Sequence, residues 1–95
     1  MAGFYCLQQK SDGIWLEHLW VLPSAMRQGI GRALFLHAIE RAKALGARIL
    51  EIESDPNSEA FYHRMGAQRV GARITHFEGQ SRELPRLVYR VDRAR

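Results

Sequence analysis

The sequence has a single cysteine, Cys6, and it has neither a low-complexity tract nor an internal repeat. One cysteine cannot form an internal disulfide and excludes a cysteine-rich zinc cluster, so we predict no metal site. No apolar run approaches the length of a membrane span, and the first ten residues lack the basic start and long apolar stretch of a signal peptide. These absences predict a cytoplasmic protein with no membrane partner.

The composition is that of a globular protein, with 46% hydrophobic and 25% charged residues. A length of 95 residues predicts one domain, residues 1–95, with a small core. The formal net charge is +4. A basic balance favours anionic ligands such as phosphates, coenzymes or nucleic acid, although a solvated basic surface is the simpler explanation.

Hydrophobic periodicity and turn signals predict seven elements in a mixed α/β (α+β) fold, with order β-β-α-β-α-β-β. The predicted strands cover residues 3–9, 14–22, 48–53, 68–75 and 86–91, and the helices cover 31–45 and about 57–65. Residues 76–86 are predicted to be the long polar connection of a hairpin formed by the last two strands. Because strand–helix–strand crossovers are right-handed, strands 14–22 and 48–53 should be parallel neighbours. Alternation along the second strand predicts two largely apolar, covered faces, one of them with Trp15, Glu17, Leu19 and Val21.

The stretch between the second strand and the first helix predicts an anion-binding site. Gly29 precedes the helix and Gly31 is its first residue, and Arg27 and Arg32 flank these glycines. Two glycines let the backbone approach a ligand, and the N–H groups and dipole of a helix start attract phosphate.

Three other interpretations of this stretch compete. A nucleotide triphosphate loop requires Gly-Lys-Ser/Thr, whereas Gly31 is followed by Arg-Ala. A dinucleotide-binding fingerprint requires glycine at Leu34, although Glu51 lies about where a ribose partner would be found. A tight turn without a ligand is the third.

Two runs resemble motifs of the GNAT N-acetyltransferases. Residues 21–34, VLPSAMRQGIGRAL, are similar to the family's acetyl-coenzyme A loop, Gln/Arg-x-x-Gly-x-Gly/Ala, with Met26 in place of the first residue. Residues 55–67, DPNSEAFYHRMGA, resemble its Asn-x-x-Ala-x-x-Phe-Tyr-x-x-x-Gly-Phe segment, with slightly different spacing and Ala67 in place of the last Phe. The resemblance covers nearly the whole chain. It implies direct transfer of an acetyl group from acetyl-CoA to a primary amine of a small molecule or a protein.

The resemblance also implies residue roles. Tyr62 would protonate the departing thiolate, or it packs in the core. Glu17 would be the general base, or it pairs with an arginine. Asn57 would contact the coenzyme, cap the second helix, or both, and Asp55 is the other candidate cap of this helix. Cys6 would not be a covalent relay. The residues expected to bind acetyl-CoA are Leu19, Val21, Met26, Arg27, Gln28, Gly29, Ile30, Gly31, Arg32, Asn57 and Tyr62.

Family members usually begin with a further strand and two helices, so this chain resembles a short form. We therefore expect exposed sheet surface and a homodimer. Its candidate contacts are Trp15, Trp20, Phe77 and Leu84. Two other functions stay open: a non-catalytic acyl-CoA-binding module or subunit, and a basic nucleic-acid-binding domain. The late arginines favour the second, but no aromatic platform is interleaved with them, which argues against nucleic acid as a partner.

Overall fold

The chain forms five strands and two α-helices in a computed structural model that describes residues 2–25 and 28–93. The mixed α+β class and the predicted order of elements are confirmed. The elements are β1 (Gly3–Lys10), β2 (Gly13–Val21), α1 (Ile30–Ala44), β3 (Ile49–Glu53), α2 (Glu59–Arg64), β4 (Gln68–Phe77) and β5 (Gln80–Arg90). In these described ranges, neither helix combines the length and apolar composition needed to cross a bilayer.

The strands form one sheet in the order β1-β2-β3-β5-β4. β2 and β3 are parallel neighbours, as the crossover rule predicts, and the other strand pairs are antiparallel. The parallel pairing is short, because it joins only Ile14 to Leu50, Trp15 to Glu51 and Leu16 to Ile52. Beyond these pairs the two central strands separate.

The predicted connection over residues 76–86 is wrong, because most of it is strand. β4 continues to Phe77 and β5 begins at Gln80. Only Glu78 and Gly79 join them, with φ of 51° and 79°, the left-handed region that two-residue type I′ hairpin turns use. Most residues of this hairpin are exposed, so its polar sequence reflects contact with water rather than an absence of strand.

The core lies between α1 and the sheet. Phe35, Ala38, Ile39 and Ala42 are buried along α1 as the helical periodicity predicts, whereas Leu45, at the end of the predicted stripe, is 51% exposed. They pack with buried strand residues in one cluster, which includes Leu16, Leu50, Ile52 and Leu87.

Phe35 is also the centre of an aromatic cluster. Its ring centroid lies 6.2, 5.8 and 5.5 Å from those of Phe61, Tyr62 and Tyr89. The contacts with Phe61 and Tyr89 are edge-to-face, with interplanar angles of 86° and 88°, and such contacts are favourable beyond the area they bury. They fix the short helix α2 against the longer helix α1.

A β-bulge changes which face the end of β2 presents. Tyr5 lies opposite Leu19 and Leu7 lies opposite Leu16, so β2 has one extra residue, at Glu17–His18, in this stretch. Because Tyr5 and Leu7 share a face, Leu19 shares the helix-facing side with Leu16. The bulge overturns the predicted grouping on a single face of Trp15, Glu17, Leu19 and Val21.

The sheet face opposite the helices is charged rather than apolar, so the prediction of two apolar faces is wrong. The Trp15 ring is 8% exposed. The Lys10 ammonium lies 4.8 Å and the Arg86 guanidinium 4.9 Å from its centroid. Ion pairs join Arg73 to Glu53 at 2.7 Å and Lys10 to Glu17 at 2.9 Å. Two cations, Lys10 and Arg86, therefore cover the ring that was expected to contact a second copy.

The Arg73–Glu53 pair predicts a pH-dependent contribution to stability. Arg73 donates two hydrogen bonds to Glu53, at 2.8 and 2.7 Å, and holds the pKa of this carboxyl below its usual value. A lowered pKa stabilises the fold above the ordinary glutamate pKa, and that stabilisation is lost as the pH falls through the folded-state value.

We expect Glu53→Gln to lower the urea midpoint by about 0.3 M at pH 7 and by less at pH 3.5. Glu40→Gln, at an exposed position of α1, is the control. Equal effects of Glu53→Gln at both pH values would contradict the prediction.

Candidate functional site

A cleft opens where β2 and β3 separate. It has a volume of about 410 Å³. β2 continues to Val21 along one side of this opening without pairing to β3. An extended ligand can therefore hydrogen-bond to the β2 main chain as an added strand would. The cleft is lined by Phe4, Glu17, His18, Leu19, Trp20, Glu53, Ser54, Asp55, Ser58 and Tyr62.

The start of α1 carries the predicted anion-binding features. Gly29 is the N-cap, with φ of 77°, and no side chain caps this end of the helix by a hydrogen bond within the described residues. The Gln28 side chain donates to the Ser24 carbonyl at 3.3 Å, and Arg32 is exposed. Two further predicted contacts, Met26 and Arg27, lie outside the described residues.

Gly31, in the first turn of α1, lies close to side chains of α2 and β2. A Cβ atom there would lie 3.5 Å from the Phe61 ring and 3.7 Å from Val21 Cγ2. Glycine leaves the backbone of the first turn open between these two side chains. Of the predicted binding residues, Val21 and Ile30 lie at the helix start and are not part of the cleft wall. Leu19 and Tyr62 are part of that wall.

Tyr62 is buried at the cleft and is 5% exposed. Burial, with a smaller contribution from Asp55, raises its pKa to about 12. The phenol therefore keeps its proton and donates a hydrogen bond to an anion more readily than it transfers the proton outright. Tyr62 packs in the core, one of the two alternatives for this residue, and it also lines the cleft. Its role as a donor to the thiolate stays a prediction.

The start of α2 is organised by Asp55, one of the two residues predicted to cap this helix, and by Ser58, to which the sequence interpretation assigned no role. Asp55 Oδ1 accepts a hydrogen bond from the Ser58 N–H at 2.9 Å, and its Oδ2 accepts one from the Ser58 hydroxyl at 3.3 Å. Ser58 is the N-cap residue, so the alternative role of Asn57 as the cap is wrong. Asn57 is exposed and is not part of the cleft wall. The Asp-x-x-Ser spacing before the helix was the signal available for this pair.

Glu17 lies at the bulge and reaches the cleft. Its Oε1 is 2.9 Å from Lys10 Nζ, so the charge partner is a lysine rather than the expected arginine. The bulge also brings His18 into the cleft wall, although strict alternation placed this residue on the opposite face. His37, by contrast, is hydrogen-bonded to the Tyr5 hydroxyl beside α1.

These features define a class of protein. A mixed sheet that opens between two parallel central strands, next to a glycine-led helix start, is the fold that the resemblance to the GNAT N-acetyltransferases implies. The model of the acetyltransferase (GNAT) family matches residues 1–67, and the chain belongs to this family.

Solved structures agree with this assignment. A GNAT-family acetyltransferase from Desulfovibrio desulfuricans superimposes with a TM-score of 0.82 at 21% identity, over 96% of this chain and 62% of that one. The ribosomal-protein-S18-alanine N-acetyltransferase from Escherichia coli gives 0.77 at 26%, over 96% and 62%. A Bacillus subtilis acetyltransferase in complex with CoA gives 0.78 at 27%, over 95% and 69%. The chain thus spans about three fifths of the length of the first two, and no curated protein sequence matches it.

Proposed function

We propose that the chain binds acetyl-CoA in the cleft between β2 and β3 and transfers the acetyl group to a primary amine. The observation that carries the proposal is the separation of the two parallel strands beside the start of α1. The amide-containing pantetheine arm would pair with the open side of β2, near Leu19 and Val21. The CoA complex of the Bacillus subtilis relative, 27% identical, supports this coenzyme.

The pyrophosphate would bind at the helix start. The N–H groups of Gly29, Ile30 and Gly31 and the helix dipole supply partial positive charge, and Arg32 adds a full charge. By resemblance, Met26, Arg27 and Gln28 complete the loop, and Asn57 would contact the coenzyme from the surface next to α2.

The chemistry requires three contributions from the protein. Glu17 accepts a proton from the acceptor amine, directly or through water, and the free nitrogen attacks the thioester carbon. Main-chain N–H groups at Leu19–Val21 stabilise the oxyanion while the C–N bond forms. The C–S bond then breaks while Tyr62 donates a hydrogen bond to the departing thiolate. The nitrogen, now part of the amide, gives up its second proton, which passes through water to the sulfur and yields the coenzyme thiol.

The test is the release of coenzyme A thiol from acetyl-CoA in the presence of a panel of primary amines. Acetylation of at least one amine, above the rate of hydrolysis, is the expected result. A non-catalytic acyl-CoA-binding module is the second candidate, and the Lys10–Glu17 pair favours it because that contact neutralises the proposed base. Binding of acetyl-CoA without turnover of any amine would select this second function.

We also propose a homodimer, with contacts from side chains that the sheet leaves uncovered. Phe77 is 69% and Trp20 45% exposed, and Leu84 is partly buried, whereas the burial of Trp15 removes it from the set. Sedimentation at micromolar concentration is expected to give about twice the chain mass of 10.9 kDa.

Phe77→Ser should shift the monomer–dimer equilibrium toward the monomer, because serine buries less apolar surface in the dimer contact than phenylalanine does. Leu36→Ser, at a position of α1 that is 44% exposed, is the matched control. A wild-type chain that sediments as a monomer would reject the dimer.

A further inference from the structure

A second cleft lies on the charged face of the sheet. It has a volume of about 520 Å³, and we name it the Trp15 cleft after its floor. Glu17 and Glu53 line this cleft and also line the cleft between β2 and β3. A molecule bound in the Trp15 cleft can therefore contact the same two carboxylates that line the cleft proposed to bind acetyl-CoA. Its wall includes Lys10, Trp15, Glu17, Glu53, Arg73 and Arg86.

The cations of the Trp15 cleft are unequally paired. Lys10 and Arg73 have carboxylate oxygens at 2.9 and 2.7 Å. The nearest carboxylate partner of Arg86 is Glu51, at 3.9 Å, and its buried Nε has no hydrogen-bond partner among the described residues. The Arg86 guanidinium is thus the cation of this cleft that is least neutralised.

Arg86 is also held in position. Its Cζ lies 4.9 Å from the centroid of the Trp15 ring, and the indole Nε1 donates a hydrogen bond to Asp12 at 3.0 Å. A guanidinium stacked on a fixed ring loses little freedom on binding, and its planar donors match a carboxylate. The carboxylates Asp12, Glu17 and Glu53 around it repel a doubly charged phosphate more strongly than a singly charged carboxylate.

We propose that the acceptor is an amino acid whose carboxylate binds Arg86 and whose amine lies at Glu17 and Glu53. This inference rests on the proposed function, because it assigns the Trp15 cleft to the acceptor of the acetyl group. It makes Arg86 the specificity-determining residue, since a neutral or purely cationic amine has no group for its guanidinium.

The experiment compares acetyl transfer to free glycine, alanine, lysine and glutamate with transfer to their carboxamides, which keep the amine and lose the carboxylate. For the wild type we expect KM to be about 10-fold or more lower for the acids. Arg86→Gln should raise KM for the acids about 10- to 100-fold and leave both kcat and the carboxamide KM unchanged, because a charged hydrogen-bonding partner of the carboxylate is lost. Arg86→Lys should fall between the two, since it keeps the charge but not the planar fork.

Arg82→Gln is the matched control. Arg82 lies on the same strand, is exposed and is not part of the wall of the Trp15 cleft, so its replacement should change neither KM. Equal KM values for acids and carboxamides in the wild type would overturn the inference without any need for a folded variant. Calorimetric titration of the same amino acids into the chain saturated with coenzyme A gives a readout independent of turnover, and absence of binding there also overturns it. Failure of coenzyme A itself to bind is a different result, which rejects the proposed function.

Discussion

Gly29→Glu is expected to reduce the affinity for acetyl-CoA about 100-fold, because a carboxylate placed about 6 Å from the pyrophosphate costs about 3 kcal/mol at an effective dielectric constant of 20. Gly29 is the N-cap of α1, and nothing lies within 4 Å of an added Cβ atom. The new side chain therefore has room and acts through its charge at the helix start. Its φ of 77° adds strain of about 1–2 kcal/mol for a residue with a side chain.

Gly46→Glu is the control that distinguishes the effect of the new charge on coenzyme binding from the effect of backbone strain. Gly46 follows the other end of α1, has φ of 87° and also has nothing within 4 Å of an added Cβ. This substitution introduces the same side chain in the same left-handed backbone conformation, away from the proposed pyrophosphate site. Calorimetry should show acetyl-CoA affinity within about threefold of wild type for Gly46→Glu, because the charge lies beyond the Debye length at physiological salt. If both variants lost affinity equally, destabilisation would explain the effect and the helix start would not be the coenzyme site.

Tyr62→Phe is expected to lower kcat about 100-fold and to leave the dissociation constant of acetyl-CoA almost unchanged, in the range found for loss of one hydrogen-bond donor to a charge that develops in the transition state. The hydroxyl is the only group removed, and the proposed hydrogen bond to sulfur strengthens as the thiolate forms. An interaction that exists mainly in the transition state affects kcat rather than ground-state binding.

Tyr89→Phe is the control for this substitution. Tyr89 packs edge-on against Phe35, with a centroid distance of 5.5 Å, yet it is not part of the wall of the cleft between β2 and β3. The same change of tyrosine to phenylalanine should therefore leave kcat within about twofold of wild type, as expected for a change distant from the reacting atoms. Equal activity of Tyr62→Phe and wild type would leave Tyr62 with the packing role alone.

The pKa of Tyr62 also predicts the pH profile. Because burial raises this pKa to about 12, the phenol stays protonated throughout the range in which the chain can be assayed. We expect kcat of the wild type to show no decrease between pH 8 and pH 10. A decrease there that Tyr62→Phe abolishes would show a lower pKa and a phenol that gives up its proton.

Local sequence was sufficient for the order of elements and for the helix start. The glycines before α1, the apolar stripe from Phe35 to Ala42 and the turn after β1 each specify structure through backbone freedom or a period of a few residues. The parallel pairing of β2 with β3 followed from the handedness of a single crossover. These features depend on neighbours in sequence, so composition and spacing carry them.

The hairpin of β4 and β5 was predicted, but the strand segments next to its turn could not be. Residues 76–83 are exposed, and a strand segment whose side chains meet water on both faces has no apolar alternation to reveal it. The pairing becomes visible only when Gln80 lies opposite Phe77 across the two-residue turn. Strand pairing of this kind is a tertiary property, because the hydrogen bonds join main chains whatever the side chains are.

The sequence by itself determined the family motifs, the helix start that faces the proposed phosphate and the aromatic residues of α2. The tertiary structure decided which side chains meet at the clefts. One extra residue in β2, at Glu17–His18, moved His18 into the wall of the cleft between β2 and β3, and burial raised the pKa of Tyr62. The position of Arg86 over Trp15 likewise depends on residues about 70 positions apart. Strand register and desolvation are set by every segment packed around a residue, and this is why no local pattern encodes them.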